Sequence, residues 1–266
     1  MSETRERRAV FGEAVDAYEA ARPGYPDELV QDVLDHAQLN GAPVLEVGAG
    51  TGKASLGFAR RGLALTCLEP DARMAEVLVR NCARYPRTEV VVSGFEQWPL
   101  PAERFGLLFS AQAWHWVDPA SRWSLGFDAL RPGGTVALFW NQFSVDDVNQ
   151  RSALAEAHSR HGASEFAPAT LGRPRPASSD PADDWPASDL LADDRYRDVR
   201  TRAYTTTHGF TTDRYVNLLA SISNYRMLED ARREALLADV AETLAGFGGS
   251  FELTAETHLY LARTRS

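Results

Sequence analysis

Residues Val44-Leu45-Glu46-Val47-Gly48-Ala49-Gly50-Thr51-Gly52-Lys53 read as an apolar strand that runs into three glycines at alternate positions and then into a helix. Glycines at that junction let the backbone approach a ligand closely and turn its N–H groups toward it at the end of the strand. The same triplet also suits a tight strand-to-helix turn with no ligand. Two phosphate-binding fingerprints fail on spacing. A G-x-G-x-x-G run counted from Gly48 would need a glycine where Lys53 stands, and a G-x-x-x-x-G-K-[ST] loop ending at Gly52-Lys53 would need a glycine at Val47 and a hydroxyl at Ala54. What remains is E-x-G-x-G-x-G. A carboxylate just before the loop suits a cationic group on the ligand and repels a pyrophosphate.

Downstream, short apolar runs alternate with longer helical stretches, the pattern of a parallel sheet covered by helices on both faces. Strands are expected at residues 43–47, 64–69, 88–93, 105–110 and 135–141, with helices near 51–61, 71–84 and 119–130. The second strand ends in Glu69-Pro70-Asp71, 23 residues beyond Glu46. An acid there can accept hydrogen bonds from both hydroxyls of a nucleotide ribose, or it can serve the start of the next helix.

Upstream, residues 1–40 read as a helical cap, broken at Arg22-Pro23-Gly24-Tyr25-Pro26 and resumed as an amphipathic helix from Asp27. After Asn141 the regularity fails. Residues 162–190 hold five of the fourteen prolines and are expected to form a mobile loop or lid, so 142–195 reads as an insertion. A strand over 196–207, helices over 212–225 and 229–245 and a last strand over 251–262 complete a single domain, 41–141 being its ligand-binding core and 196–266 its C-terminal strands and covering helices.

Composition narrows the function. The 266 residues are 44% hydrophobic and 24% charged, enough for a substantial core. With 28 basic against 37 acidic residues the formal net charge is -9, which disfavours tracking a nucleic-acid backbone and favours a small ligand. Two cysteines, Cys67 and Cys82, allow no disulfide framework and fit a reducing cytoplasm. No apolar run approaches the ~20 residues of a membrane span, and the charged start MSETRERRAVFGEAV does not look like a secretory leader. His158 and His161 share a helical face, yet no third ligand accompanies them, so a solvated face is expected rather than a metal site. Asp183-Asp184 and Asp193-Asp194 lack the spacing of a calcium loop.

Several separate stretches together resemble class I S-adenosylmethionine-dependent methyltransferases, and more closely the small-molecule group that includes trans-aconitate methyltransferase-like enzymes. They are Phe11 to Pro26, Glu46 to Gly52, Leu68 to Asp71, Ser93 to Pro99, Ser110 to Asp118 and Leu130 to Asn141. The resemblance implies a Rossmann-like, doubly wound α/β fold with a seven-stranded sheet, mostly parallel with the last strand antiparallel. It also implies S-adenosyl-L-methionine as cofactor, S-adenosyl-L-homocysteine as product, and a small-molecule acceptor. Carried over by position, Gly48, Ala49, Gly50, Thr51 and Gly52 would shape the methionine side of the pocket, with Glu46 near the amino group. Glu69 with Pro70 would take the ribose. The backbone at Phe95 with Glu96 would meet the adenine, although Gly94 stands where an aspartate is commonest. Ser110, Ala111 and Gln112 would line the sulfonium region, and Tyr18 and Arg22 would close over the cofactor.

The acceptor side is read from Trp114-His115-Trp116 after the fourth strand, where His115, partly buried and with a lowered pKa, is a candidate base or substrate contact. Trp114, Trp140 and Asn141 are expected to face the same crevice, and Tyr225 and Arg226 would suit an anionic group. Two other readings stay open: a nicotinamide-dependent oxidoreductase, and a non-catalytic protein that keeps the cofactor-binding fold.

Overall fold

Strands buried on both faces carry apolar side chains at every position, and successive ones must point to opposite layers. The computed structural model, which describes residues 15–172 and 183–265, shows this in Val44–Val47, all four of whose side chains are buried and all but Glu46 apolar. Val44 joins a layer with Leu107, Phe109, Ala137 and Phe139, whereas Leu45 and Val47 join Leu108, Val136 and Leu138 in the opposite one. The first layer is closed by helical residues such as Leu29, Val33, Phe58 and Leu78, the second by Phe95, Trp114, Leu190 and Tyr196.

The elements follow in the order α1 (Val15–Ala21), α2 (Asp27–Ala37), β1 (Val44–Val47), α3 (Ser55–Ala59), β2 (Leu65–Glu69), α4 (Ala72–Cys82), β3 (Thr88–Val92), β4 (Phe105–Ala111), α5 (Arg122–Ala129) and β5 (Leu130–Val145). Then come α6 (Val148–Arg160), α7 (Ala167–Thr170), α8 (Ala187–Ala192), β6 (Tyr196–Thr211), α9 (Thr212–Ala220), α10 (Ser223–Arg226), α11 (Asp230–Ala245) and β7 (Ser250–Thr264). The seven-stranded sheet has the order β3-β2-β1-β4-β5-β7-β6. β1 lies parallel to β2 and β4, β2 to β3, and β4 to β5, while β7 is antiparallel. The Rossmann-like expectation therefore holds.

By contacts the chain divides into two compact units. A core unit comprises Gly24–Asn141, Pro176–Tyr204 and Thr257–Ser266; a helical unit comprises Met1–Pro23, Gln142–Arg175 and Thr205–Glu256. Residues 142–172, expected to be irregular, are folded. α6 is capped by Asp147, whose side chain accepts from the Gln150 N–H at 2.8 Å. Phe143, Val145, Leu154, Ala163 and Leu171 pack with Tyr215, Leu218 and Leu236 in the core of the helical unit. α6 escapes detection as an amphipathic element because its buried face is narrow: Leu154, Ala157 and, contrary to the solvated reading, His158. The described ends of the proline-rich stretch are also structured, in α7 and α8; residues 173–182, the rest of the expected lid, lie outside the described residues, as do 11–14 of the first motif.

The single helix expected over 212–225 is two. Ser221 Oγ donates to the Leu218 carbonyl at 2.7 Å, and Ile222 turns to an extended conformation before α10. Such back-bonding by a serine gives the backbone an alternative to the helical ladder.

Candidate functional site

The loop after β1 has the backbone conformation its glycines predict, but the N–H groups of Gly48, Ala49, Gly50 and Gly52 are bonded within the protein rather than turned outward. Gly48, Gly50 and Gly52 have φ of 72°, 59° and 96°, a region closed to most L side chains. Space is as restrictive as conformation: a Cβ on Gly48 would lie 2.4 Å from Ala113 Cβ, and one on Gly52 2.7 Å from Leu78 Cδ1. The N–H groups of Gly48 and Ala49 both donate to the Leu68 carbonyl at 2.9 Å, which ties the loop to the end of β2. Asn81 Nδ2 donates to the Thr51 carbonyl at 2.9 Å from α4. Asn81 carries no sequence signal, since its partner is 30 residues away.

Glu69 closes this arrangement. Its carboxylate accepts from the Gly50 N–H at 2.7 Å and from the Asp71 N–H at 2.9 Å. The helix-capping role falls instead to Asp71, which accepts from the Arg73 N–H at 2.9 Å. Burial pushes Glu69 up to about 7, against the two backbone N–H groups that lower it. Pro70 beside it is exposed. Glu46 is completely buried behind the loop, where one carboxyl oxygen accepts from Ser55 Oγ at 2.5 Å and from Cys67 Sγ at 3.5 Å. Its other oxygen, Oε1, is buried without a partner, and burial pushes the group up to about 8. An orphaned carboxyl oxygen behind a glycine cradle fits a ligand with a cationic donor.

Phe95 is buried and packs on Trp114, so only its backbone is left to meet a ligand. Glu96 accepts from the Asp118 N–H at 3.0 Å. Ser110 Oγ donates to the Val47 carbonyl at 2.8 Å, so its hydroxyl joins β4 to β1. Gln112, at the carboxyl end of β4 beyond Ala111, has φ of 58°, and its amide donates to the Asn141 carbonyl at 2.9 Å. A non-glycine residue held in that region is a strained feature of the kind that collects at ligand crevices.

Four acceptor-side expectations need correction, three of them in the core unit. Trp114 is fully buried between Phe95 and Trp123, at 6.0 and 5.5 Å between ring centroids, and supports the wall from behind. His115 is exposed rather than partly buried, and Trp140 Nε1 donates to its Nδ1 at 3.3 Å. An indole N–H can only donate, so in the neutral imidazole the proton sits on Nε2 and His115 offers a donor, not a basic lone pair, at that nitrogen. Asn141 reaches Gly24 O at 3.5 Å and accepts from Thr257 Oγ1 at 2.5 Å, so its amide is held within the unit. Trp140 is half-buried beside Trp185 and Tyr260.

In the helical unit, the Arg22 guanidinium lies over the Tyr18 ring at 4.7 Å and donates from Nε to Ser221 Oγ at 3.2 Å and from Nη2 to the Ser221 carbonyl at 3.3 Å. Arg226 ends α10, half-buried. Tyr225, expected at an acceptor, is instead a core residue. Because the Leu154 carbonyl can only accept, His158 donates to it from Nδ1 at 2.7 Å and receives the Tyr225 hydroxyl at Nε2, also at 2.7 Å. Burial lowers the His158 pKa, in keeping with this neutral form. Replacing Tyr225 by Phe strands a buried ring nitrogen and should cost about 1–3 kcal/mol of stability in urea unfolding; an unchanged midpoint and slope would refute this bond. His161 pairs with Asp239 at 3.0 Å, and the described residues contain no group of three or more metal-ligating side chains.

A sheet of this order with a glycine loop at the carboxyl end of β1 and a buried acid closing β2 defines a Rossmann-like fold. Residues 44–134 match the family model described as a methyltransferase domain. An uncharacterized methyltransferase of Mycobacterium tuberculosis is 39% identical over 137 residues, 52% of this chain and 54% of that protein; one of Schizosaccharomyces pombe is 29% identical over 143 residues, 52% and 56%. The chain thus spans about half the length of the curated relatives it matches. Among solved structures, a candidate type II methyltransferase from Anaeromyxobacter dehalogenans superposes with a TM-score of 0.60 at 21% identity, covering 91% of this chain and 97% of that one. Haemonchus contortus phosphoethanolamine N-methyltransferase 2 in complex with S-adenosyl-L-methionine gives 0.55 at 13% identity, covering 99% and 61%. The chain resembles class I S-adenosylmethionine-dependent methyltransferases in both sequence and fold.

Proposed function

We propose that this chain is an S-adenosylmethionine-dependent methyltransferase acting on a small molecule in the cytoplasm. The observation that carries the reading is the pairing of the Gly48–Gly52 cradle with the orphaned oxygen of Glu46 and the loop-bound carboxylate of Glu69. When bound, the cofactor supplies a methyl group activated on a sulfonium. The chain's own work is to hold, orient and exclude water. The loop backbone from Gly48 to Gly52 takes the methionine portion, Glu46 Oε1 accepts from its ammonium, and Glu69 takes the ribose. The backbone at Phe95 with Glu96 borders the adenine, and Ala111 with Gln112 borders the transfer path. His115, its Nδ1 occupied by Trp140, orients an acceptor oxygen through Nε2–H.

Calorimetric titration with S-adenosylmethionine, S-adenosylhomocysteine and NADH tests this reading. Binding of both sulfur nucleotides and not of NADH is expected, and Glu69→Ala should weaken it by about 1–3 kcal/mol. NADH binding alone would overturn the proposal in favour of hydride transfer. A neutral Glu69→Ala variant would remove the ribose role.

A further inference from the structure

Beyond the cofactor loop, the turn after β4, residue 140 of β5 and the segment before α8 bring together a run of aromatic rings. Trp116 lies 4.7 Å from His115, His115 lies 6.5 Å from Trp140, and Trp140 lies 5.3 Å from Trp185, with Tyr260 behind it at 5.9 Å. Trp185 is 36% exposed, His115 is exposed, and Trp116 and Trp140 are half-buried, so ring surface faces outward along the run. The run begins near the loop: Ala113, two residues before His115, is the neighbour that Gly48 has no room to touch with a side chain.

The indole N–H groups of Trp140 and Trp185 are both engaged within the protein. Trp140 donates to His115, and Trp185 and Trp123 both donate to Asp189 Oδ2, at 3.0 and 2.9 Å. Trp140 and Trp185 are therefore oriented before any ligand arrives, and they present two apolar, polarizable faces tilted 58° to one another. An aromatic wall of this kind suits either a quaternary ammonium ion or another flat ring. The charge already present decides between them. The Arg122 guanidinium lies 4.9 Å from the Trp185 ring centroid and 5.8 Å from that of Trp123, paired with Asp189 at 3.4 Å. Trp185 thus already carries a cation, which repels a second, and the carboxylate that would attract one is satisfied by Arg122 and two indoles.

We propose that this wall is the acceptor site and that the acceptor is a planar aromatic molecule bearing an anionic or hydrogen-bond-accepting oxygen. The ring stacks on Trp185 with the Trp140 ring, tilted 58° to it, along its edge, and its oxygen takes the Nε2–H of His115. The proposal rests on the methyltransferase reading only for the word acceptor; the binding surface stands on its own residues.

The test is calorimetric titration of the full chain, without cofactor, with 2-naphthoate, its saturated counterpart decahydro-2-naphthoate, and tetramethylammonium. Naphthoate is expected to bind at least tenfold more tightly than the saturated acid and to be undisturbed by tetramethylammonium. Trp185→Ala should weaken it tenfold or more, and Trp140→Phe, which keeps a ring but loses the bond to His115, should weaken it less. Equal affinity for the saturated acid, displacement by tetramethylammonium, or an unaltered Trp185→Ala variant would each overturn the proposal. Naphthoate selectivity in a chain that binds no S-adenosylmethionine would sink the methyltransferase reading and leave the aromatic site standing; cofactor binding without aromatic selectivity would do the reverse.

Discussion

Gly48→Ala should be the most damaging single methyl group added to this protein. A left-handed residue with a Cβ costs about 1–2 kcal/mol, and a contact of 2.4 Å with Ala113 Cβ forces the loop or β4 to move, which overpacking data place at about 1–3 kcal/mol. A loss of roughly 2–5 kcal/mol in urea unfolding is expected from the two effects together, with loss of S-adenosylmethionine binding. The two causes separate in a double variant. Ala113→Gly in the same chain relieves the contact and leaves the conformational strain, so it should restore the larger part of the stability. A double variant no more stable than Gly48→Ala would show that the collision is not the cause.

The second large effect is a dependence on pH. Glu46 and Glu69 have folded-state pKa values raised by burial to about 8 and about 7, above the ordinary 4.5. In that window the folded chain holds protons that the unfolded chain has released, so stability falls as pH rises from about 5 through the folded pKa values and levels at about pH 9. Glu46→Gln removes the larger share and should flatten the decline by about 2–4 kcal/mol, a figure below the roughly 1.4 kcal/mol per pKa unit that full linkage would give. Urea unfolding at pH 5 and pH 8.5 measures it. A decline as steep in the variant as in the parent would place the titration elsewhere. Under the proposed function the same carboxyl must ionise to accept a cationic ligand, so cofactor affinity should rise across the window in which stability falls. Titration in two buffers of different ionisation enthalpy should then report proton release on binding, and Glu46→Gln should suppress it. The buried carboxyl is a cost to the empty protein that the ligand offsets.

Much of this architecture is written locally. The near-continuous, mostly apolar burial of Val44–Val47 and Phe105–Ala111, the glycines whose positive φ the loop demands, and Asp71 as a cap are each read within a few residues, because strand period, turn conformation and capping are short-range properties. The Arg131-Pro132-Gly133-Gly134 turn shows the limit. It marks an expected break before the fifth strand, yet β5 runs through it, taking Leu130 opposite Phe105 and Thr135 opposite Leu107 with an irregularity between.

Much of what turns a residue into a functional group depended instead on partners brought together by folding. Ser55 and Cys67 bury Glu46 and leave one of its oxygens unmatched; Trp140, 25 residues from His115, converts an expected base into a donor. Asp189 fixes two tryptophans, one of them 66 residues away, and Arg22 meets Ser221 across 199 residues. Tyr225 and His158 looked like a ligand contact and a solvated surface, and each became the other's hydrogen-bond partner inside a core. Composition and spacing state which chemistry a side chain is capable of. Burial and the neighbour that satisfies its polar atoms state which of those capacities survives, and both are set only when distant segments of the chain pack together.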